Sequence, residues 1–177
     1  MENDQEILYW TRGRFSFGEI TVCCSDQGVR EIRFASARQK NGRRKTGKTE
    51  RVLRAAGSSQ KPGARLARKT LHELKEYEQG GLKRFTVPID TCGTPFEKMV
   101  WEELLRIPYG KTASYGEVAR KVGNPRGARA VGMANNKNPI PIIVPCHRVI
   151  ASDGKLSGYA GGLRMKTQLL RLEQGAL

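Results

Sequence analysis

Short runs of β-prone residues alternate with turn residues over the first half of the chain. Strands are predicted at 7–11, 19–24, 29–34 and 85–90, with turns at Arg12-Gly13 and 25–28. Ala67, Leu71 and Leu74 lie at helical spacing and predict a helix over 64–79, which Gly80-Gly81 ends. We therefore expect an N-terminal α/β domain over residues 1–91, in which the three early strands form a meander.

The second half of the chain contains several sequence patterns that predict the first residues of helices. Thr94-Pro95-Phe96-Glu97 and Ser114-Tyr115-Gly116-Glu117 both have the capping-box pattern, a hydroxyl residue followed three positions later by glutamate. The apolar face predicted for the first of these helices consists of Phe96, Met99, Val100, Leu104 and Ile107. Two further helices are predicted, from Ala128 to about Asn135 and over 163–174, the latter with Met165, Leu169 and Leu172 inward.

The two short helices in the middle of this half are joined by a tight turn that contains glycine. Such a pair is typical of a helix-turn-helix, although many helix pairs of this kind bind nothing. The Asp153-Gly154 dipeptide predicts a hairpin between 149–151 and 155–157, which would form a wing. These elements predict a mainly α, winged-helix-like C-terminal domain over residues 92–177.

Charge narrows the class of partner. The chain has 32 lysines and arginines against 17 acidic residues, a net charge of +15, which favours a polyanion such as nucleic acid or an acidic membrane surface. No apolar run approaches the roughly 18 residues of a membrane span, and Glu2, Asp4 and Glu6 argue against a signal segment. We expect a soluble protein of the cytoplasm, or of the nucleus if the source is eukaryotic.

Much of the positive charge lies in one segment, from about 35 to 62. Its cations are Arg38, Lys40, Arg43, Arg44, Lys45, Lys48, Arg51 and Arg54, and they face a single acidic residue, Glu50. Few large apolar residues accompany them, so the segment is predicted to be a basic loop. It is either a solvated insertion or a contact surface for phosphates, and the sequence favours the insertion.

The most distinctive chemistry lies in the stretch 138–150, where Cys146 is followed directly by His147. Three prolines space branched apolar residues before them, which predicts a stiff, extended approach. The thiolate is the reactive form of cysteine, and a neighbouring imidazole can generate it near neutral pH. The alternative is a buried cysteine that packs as a small hydrophobic residue.

Four motifs together carry a family resemblance. They are Pro145-Cys146-His147-Arg148-Val149-Ile150, the preceding Asn138-Pro139, Arg129-Ala130-Val131-Gly132 and Tyr159-Ala160-Gly161-Gly162. From about Thr94 to Glu173 the chain resembles the O6-alkylguanine-DNA alkyltransferases, also called methylated-DNA–protein-cysteine methyltransferases; over 1–93 the resemblance is loose. It implies a ribonuclease-H-like N-terminal sheet and helix. It also implies a DNA repair methyltransferase that flips O6-alkylguanine, notably O6-methylguanine, out of duplex DNA and transfers the alkyl group irreversibly to Cys146 in a single turnover.

The resemblance also implies roles for individual residues. Glu173 would orient His147, which through a water removes the thiol proton of Cys146, while Tyr115 donates a proton to the leaving guanine. Asn138 would brace the cysteine loop, and Arg129 would fill the space that the flipped base vacates. The remaining residues implied at the substrate or DNA are Pro141, Tyr159, Ala160, Val149, Ser114, Ala128 and Asn135.

Two departures from the family pattern affect these expectations. Many members have serine at the position of Ala160, so a hydroxyl near guanine O6 is missing, although the backbone N–H remains. Some relatives bind zinc, whereas Cys23, Cys24 and His72 leave this chain one ligand short of a four-ligand protein site. We therefore expect no metal and no cofactor, and a monomer that binds duplex DNA containing O6-alkylguanine.

Two other functions are compatible with parts of the pattern. A non-enzymatic protein that flips and flags lesions would keep the same frame, but such relatives replace the reactive cysteine, which this chain retains as Cys146. A cysteine hydrolase fits poorly, because acyl-transfer enzymes place the histidine far from the cysteine in sequence. The alkyltransferase is the function that the sequence favours.

Overall fold

The computed structural model describes residues 6–35 and 51–175 of the chain. The strands are β1 (Glu6–Phe15), β2 (Gly18–Cys24), β3 (Val29–Phe34), β4 (Arg51–Ala55), β5 (Ala113–Ser114) and β6 (Val149–Ile150). The α-helices are α1 (Pro62–Glu78), α2 (Pro95–Leu105), α3 (Tyr115–Lys121), α4 (Ala128–Asn136) and α5 (Gly162–Glu173). The chain divides into two compact units, Met1–Cys92 and Gly93–Leu177.

The first unit is a mixed four-stranded sheet with one helix packed on it. The strand order is β3-β2-β1-β4, in which β1, β2 and β3 form the predicted antiparallel meander and β4 pairs with β1 in parallel. The helix α1 contacts β1, β2 and β3. Leu8, Ile20 and Val22 of the sheet and Leu74 and Tyr77 of α1 are buried in its core.

The predicted turn at Arg12-Gly13 is wrong. Strand β1 continues to Phe15, and the chain turns back at residues 16–17. Gly18, which follows this turn and begins β2, has a φ of +122°. Gly13 lies within β1, opposite Ile20, and a β-carbon there would lie 2.8 Å from Cδ1 of Leu71. A side chain at position 13 would therefore require Leu71 of α1 to shift, and the glycine lies within a strand and not in a turn.

Two other predictions for this unit need correction. Residues 51–55 belong to strand β4 and not to the basic loop predicted over 35–62; residues 36–50 of that segment lie outside the described part of the chain. Strand β4 lies at the edge of the sheet, where charged side chains are common because the strand is held by backbone hydrogen bonds to a single neighbour. The segment 85–90 forms no strand, only an isolated bridge in which Val29 N–H donates to Pro88 O and Asp90 N–H donates to Val29 O.

Both predicted capping boxes are present in the second unit. Thr94 accepts from the backbone N–H of Glu97, and Ser114 accepts from that of Glu117, with both glutamates reaching back to the cap residue. The apolar face of α2 differs from the prediction, because Met99 is 47% exposed and Trp101 is buried instead. The indole Nε1 of Trp101 donates to Ala134 O at 2.9 Å, which joins α2 to α4.

The predicted wing is also not a hairpin. Strand β6 pairs in parallel with β5, and residues 155–157 form no strand. The turn at Asp153-Gly154 is present, closed by bonds from Gly154 N–H to Ala151 O and from Ala151 N–H to Lys155 O, both 3.0 Å. In the last helix Leu170 is buried, while Leu172 is only half-buried. Across residues 6–35 and 51–175, none of the helices has the length and apolar character needed to cross a membrane.

Candidate active site

Asn138 holds the loop that leads to the cysteine. Its Oδ1 accepts from the backbone N–H of Ile140 at 2.9 Å, and its Nδ2 donates to Val144 O at 2.8 Å. Between these two bonds Ile142 has a φ of +77°, a conformation that is rare and strained for a β-branched residue. The side chain of Asn138 and the bond from Val144 N–H to Ile140 O hold the loop in this strained form.

Cys146 follows this loop and begins a 3₁₀ turn, Cys146–Arg148. The cysteine is only 2% exposed, and burial raises the pKa of its thiol to about 11. A hydrogen bond with the Asn138 side chain and the positive charge of Lys166 act in the opposite direction, by stabilising the thiolate. The thiol of the resting protein is therefore protonated near neutral pH and needs a base to become a nucleophile.

Glu173, at the end of α5, is surrounded by donors. Its Oε1 lies 2.8 Å from Nε2 of His147 and accepts from Nη2 of Arg148 at 2.9 Å. Its Oε2 accepts from Nε of Arg148 at 2.9 Å and from the backbone N–H of Gly110 at 3.1 Å. The bidentate contact of guanidinium with carboxylate fixes Glu173 in the plane where it meets His147.

This arrangement sets the protonation of His147. The ring is fully buried, and that burial lowers its pKa even though Glu173 acts to raise it, so the neutral form predominates. With a carboxylate at Nε2, the neutral tautomer carries its hydrogen there, and the Nδ1 lone pair is left as an acceptor. Nδ1 has no hydrogen-bond partner among residues 6–35 and 51–175. His147 thus has the form that a general base next to Cys146 requires.

Lys166 is a buried cation that the sequence analysis did not identify. Its side chain is inaccessible, and its ammonium donates to Val149 O at 2.6 Å and to Ser157 O at 2.8 Å. Burial lowers its pKa, while the nearby Cys146 acts to raise it. The one sequence signal was its position beside Met165 on the inward stripe of α5. Arg148 was likewise quoted only as part of a motif, with no role inferred for it.

The two tyrosines predicted for the site lie in the second unit with the cysteine. The Tyr115 hydroxyl lies 3.4 Å from both Ser157 O and Ser157 Oγ, so Tyr115 and Lys166 share one carbonyl acceptor. The ring of Tyr159 meets that of His147 edge-on, with centroids 6.4 Å apart. Of the other predicted pocket residues, Pro141 and Val149 are buried and Ala160 is exposed.

Helix α4 separates the residues predicted to contact DNA into two groups. Arg129 is exposed and Ala128 is half-buried. Asn135 is 3% exposed, and its Nδ2 donates to the carbonyl of Cys146 at 3.3 Å, so its side chain supports the cysteine backbone; its role at the DNA stays a prediction. Ser114 is half-buried, and its hydroxyl is engaged in capping α3.

No three His, Cys, Asp or Glu side chains of the described residues lie close enough to share a metal ion. Cys23 and Cys24 are buried in the sheet, and burial raises the pKa of Cys24 to about 12. The expectation of no zinc stays a prediction. In its fold and site the chain is an α/β protein with a buried candidate nucleophile, Cys146, beside a histidine–glutamate pair.

Comparison with known proteins identifies the family. Residues 95–175 match the model of the 6-O-methylguanine DNA methyltransferase DNA-binding domain. The methylated-DNA–protein-cysteine methyltransferase of Mycolicibacterium paratuberculosis is 42% identical over 157 residues, which cover 89% of this chain and 87% of the relative. The methyltransferase of Methanosarcina acetivorans is 56% identical over 106 residues, which cover 60% of this chain and 68% of the relative.

A solved structure extends the match over both units. The crystal structure of Mycobacterium tuberculosis OGT in complex with DNA covers 95% of this chain and 94% of that one, with 37% identity and a TM-score of 0.78. The chain belongs to the methylated-DNA–protein-cysteine methyltransferase family, which confirms the resemblance seen in the sequence. Its mixed sheet with helices matches the architecture of these relatives.

Proposed function

We propose that the protein repairs duplex DNA by removing the alkyl group from O6-alkylguanine, notably O6-methylguanine, and keeping it on Cys146. The observation that identifies the sulfur of Cys146 as the alkyl acceptor is the cluster of side chains around it. A shielded thiol is followed by a neutral His147, whose Nε2 lies 2.8 Å from Glu173. Family membership supplies the substrate class, and the net charge of +15 suits a DNA partner.

The proposed reaction is a displacement at the alkyl carbon. His147 accepts the thiol proton, through a bridging water as in the family, and the sulfur of Cys146 then forms a bond to the alkyl carbon as the bond from that carbon to guanine O6 breaks. Tyr115 donates a proton to the departing guanine, which leaves neutral. The thioether that remains is stable, so each molecule reacts once.

The reaction requires the base to leave the helix. The O6 substituent lies within the base stack, and the thiol is only 2% exposed, so guanine must be flipped out and carried into the site. We propose that Arg129, on the exposed side of α4, occupies the vacated stack. Ala160 would offer its backbone N–H near O6, and Pro141, Val149 and Tyr159 would form the pocket.

Several finer assignments belong to the same proposal. The first unit would have a ribonuclease-H-like topology and the second a winged-helix-like one, with Ser114 and Ala128 at the DNA surface. The protein would act as a monomer without a cofactor or metal, in the cytoplasm or, in a eukaryote, the nucleus.

Mass spectrometry tests the assignment directly. After incubation with duplex that contains O6-methylguanine, the intact protein should gain one methyl group, and the peptide that contains Cys146 should carry it. An unmodified protein, or a methyl group on Cys92, would contradict the proposal.

The rate of transfer should increase with pH. The thiol has a pKa of about 11, and the deprotonated fraction of such a group rises roughly tenfold per pH unit below its pKa. The reactive form is the thiolate, so the single-turnover rate with free O6-benzylguanine should climb from about pH 7 to about pH 9. The route in which neutral His147 takes the proton does not depend on pH, so the overall rise should be less than about tenfold per pH unit. A flat profile over this range would show that thiol ionisation does not control the reaction.

Replacing Arg129 by alanine should separate recognition from chemistry. If its side chain offsets the cost of unstacking, which is a few kcal/mol, repair of duplex DNA should slow by roughly a hundredfold. Reaction with free O6-benzylguanine needs no flipping and should stay near the wild-type rate. Single-turnover rates with both substrates, at low and high salt, measure the effect.

Arg126, another exposed arginine just before α4, provides the matched control. Arg126→Ala should cause a modest loss that low salt largely removes, as expected of a phosphate contact. If Arg129→Ala slows the free base and the duplex equally, Arg129 supports the fold or the pocket and does not fill the stack.

A further inference from the structure

The exposed side of α4 carries an apolar residue that the function described above does not use. Met133 is 59% exposed, the highest value for a large hydrophobic residue in the part of the chain that the structure describes. It lies four residues after Arg129, and residues at this spacing share one face of a helix. Single apolar side chains are common on protein surfaces, so the exposure of Met133 carries an inference only through its position beside Arg129.

Other contacts of α4 show where this face lies relative to the site. On the buried side, Val131 and Ala134 pack inward and Asn135 donates to the Cys146 carbonyl. On a second side, a β-carbon at Gly132 would lie 3.7 Å from the ring of Tyr115. The helix therefore lies between the cysteine and the outer surface, and Met133 is on the outer surface with Arg129.

The end of α4 is close to the predicted guanine loop. A β-carbon at Gly158 would lie 3.3 Å from Oδ1 of Asn136, the last residue of the helix. Gly158 directly precedes Tyr159, whose ring meets His147 edge-on. Along its outer face, α4 therefore extends from Arg129 past Met133 to the edge of the loop that carries the pocket residues.

We propose that Met133 is a DNA-contacting residue that packs against the sugars and base edges of duplex DNA beside the flipped nucleotide. The proposal rests on the proposed function. Apolar side chains that enter the minor groove wedge against base steps, and the flexible thioether of methionine adapts to an irregular surface. Arg129 supplies charge at one position of this face, and Met133 supplies apolar contact one turn later. The contribution of Met133 to affinity is therefore independent of salt.

Substitutions at Met133 test this role without disturbing the core, because the side chain is exposed. Met133→Ala should weaken binding to duplex containing O6-methylguanine by about tenfold, since most of the apolar contact is lost. The slope of log affinity against log salt should stay at the wild-type value, because no phosphate contact is removed. Met133→Leu, which keeps the apolar volume, should bind within about twofold of wild type.

Met99 provides the matched control, since it is a methionine exposed to 47% on α2, another helix of the same unit. Met99→Ala should bind duplex as wild type does. All three variants should react with free O6-benzylguanine at the wild-type rate. Affinity can be measured by fluorescence anisotropy on a Cys146→Ser background, which prevents reaction during the titration.

The outcomes are distinct. If Met133→Ala binds as tightly as wild type, or if its loss of affinity changes the salt slope, the apolar contact does not exist. A slower reaction of Met133→Ala with the free base would show that the residue supports the pocket and would also overturn the proposal. A wild-type protein that takes up no methyl group would contradict the proposed function itself, which this series measures first.

Discussion

Replacing Cys146 by serine should abolish alkyl transfer while leaving the protein folded and able to bind alkylated duplex. A hydroxyl ionises far less readily than a thiol, and its oxygen is a poorer nucleophile at an sp³ carbon. The thiol lies only 2% exposed, so the substitution alters no surface that could contact phosphates. The Asn135 bond to residue 146 involves the backbone carbonyl and should persist in the variant.

The measurement is the mass of the protein and of its peptides after incubation with O6-methylguanine duplex, together with the affinity for that duplex. Cys92→Ser is the matched control, because Cys92 is the exposed free cysteine of the described chain and should not be needed. We expect full transfer in Cys92→Ser and none in Cys146→Ser. Demethylation of DNA by Cys146→Ser would remove Cys146 from its role.

Replacing Glu173 by glutamine should reduce both the rate and the stability. The carboxylate accepts from several N–H donors: His147, Arg148 twice and the backbone of Gly110. An amide nitrogen at either position would face a donor, and the buried guanidinium of Arg148 would lose its charge partner. Breaking a buried pair in this way costs about 3–5 kcal/mol. The loss of a correctly oriented base should slow transfer about a hundredfold or more.

Glu103 offers a control that separates these two effects. It is also buried, at 5% exposed, and pairs with Arg106 at 3.0 Å and Lys121 at 3.1 Å. Both cations are exposed, so Glu103→Gln leaves no buried charge and should lower stability less. Single-turnover rates well below the unfolding temperature should be normal for Glu103→Gln and slow for Glu173→Gln. A Glu173→Gln variant that reacts as fast as wild type would exclude the relay through His147.

Signals that act within a few residues were the most predictable part of the fold. A capping box depends only on the cap residue and the residue three positions on, so the starts of α2 and α3 followed from Thr94 and Ser114. The meander likewise depends on neighbouring strands and short turns. The family motif around Cys146 was recognisable because its residues are consecutive, but the approach to it was predicted to be extended and instead turns at Ile142, whose φ is +77°.

Errors arose where a distant element determined the structure. Gly13 looked like a turn residue, yet it lies within β1 and its nearest neighbour is Leu71 of α1, far along the chain. The charges around Arg54 suggested a loop, but the backbone of this segment pairs with β1 as an edge strand. The predicted hairpin after β6 was wrong for a similar reason, since the partner of β6 is β5 and not the residues just after the turn.

The sequence analysis named the central residues of the candidate site but missed a residue that supports them. Cys146, His147 and Glu173 were named together only because the family resemblance joined them; their separation in sequence carries no distance information. Lys166 was missed because lysine is rarely buried, and a single sequence does not show that two carbonyl oxygens await its ammonium. Asn135 was predicted at the substrate or DNA, and its bond to the Cys146 carbonyl was not foreseen from the sequence.

The burial of Cys146 also affects how long the protein survives before it meets a lesion. Oxidation to sulfenic acid and beyond starts from an accessible thiolate. With a thiol pKa of about 11, only about one molecule in ten thousand carries the thiolate at neutral pH, so oxidation of the resting protein should be slow. A molecule that works once gains nothing from a permanently reactive sulfur. The burial that raises the thiol pKa makes a base such as His147 necessary, and it also protects Cys146 from oxidation in molecules that have not yet reacted.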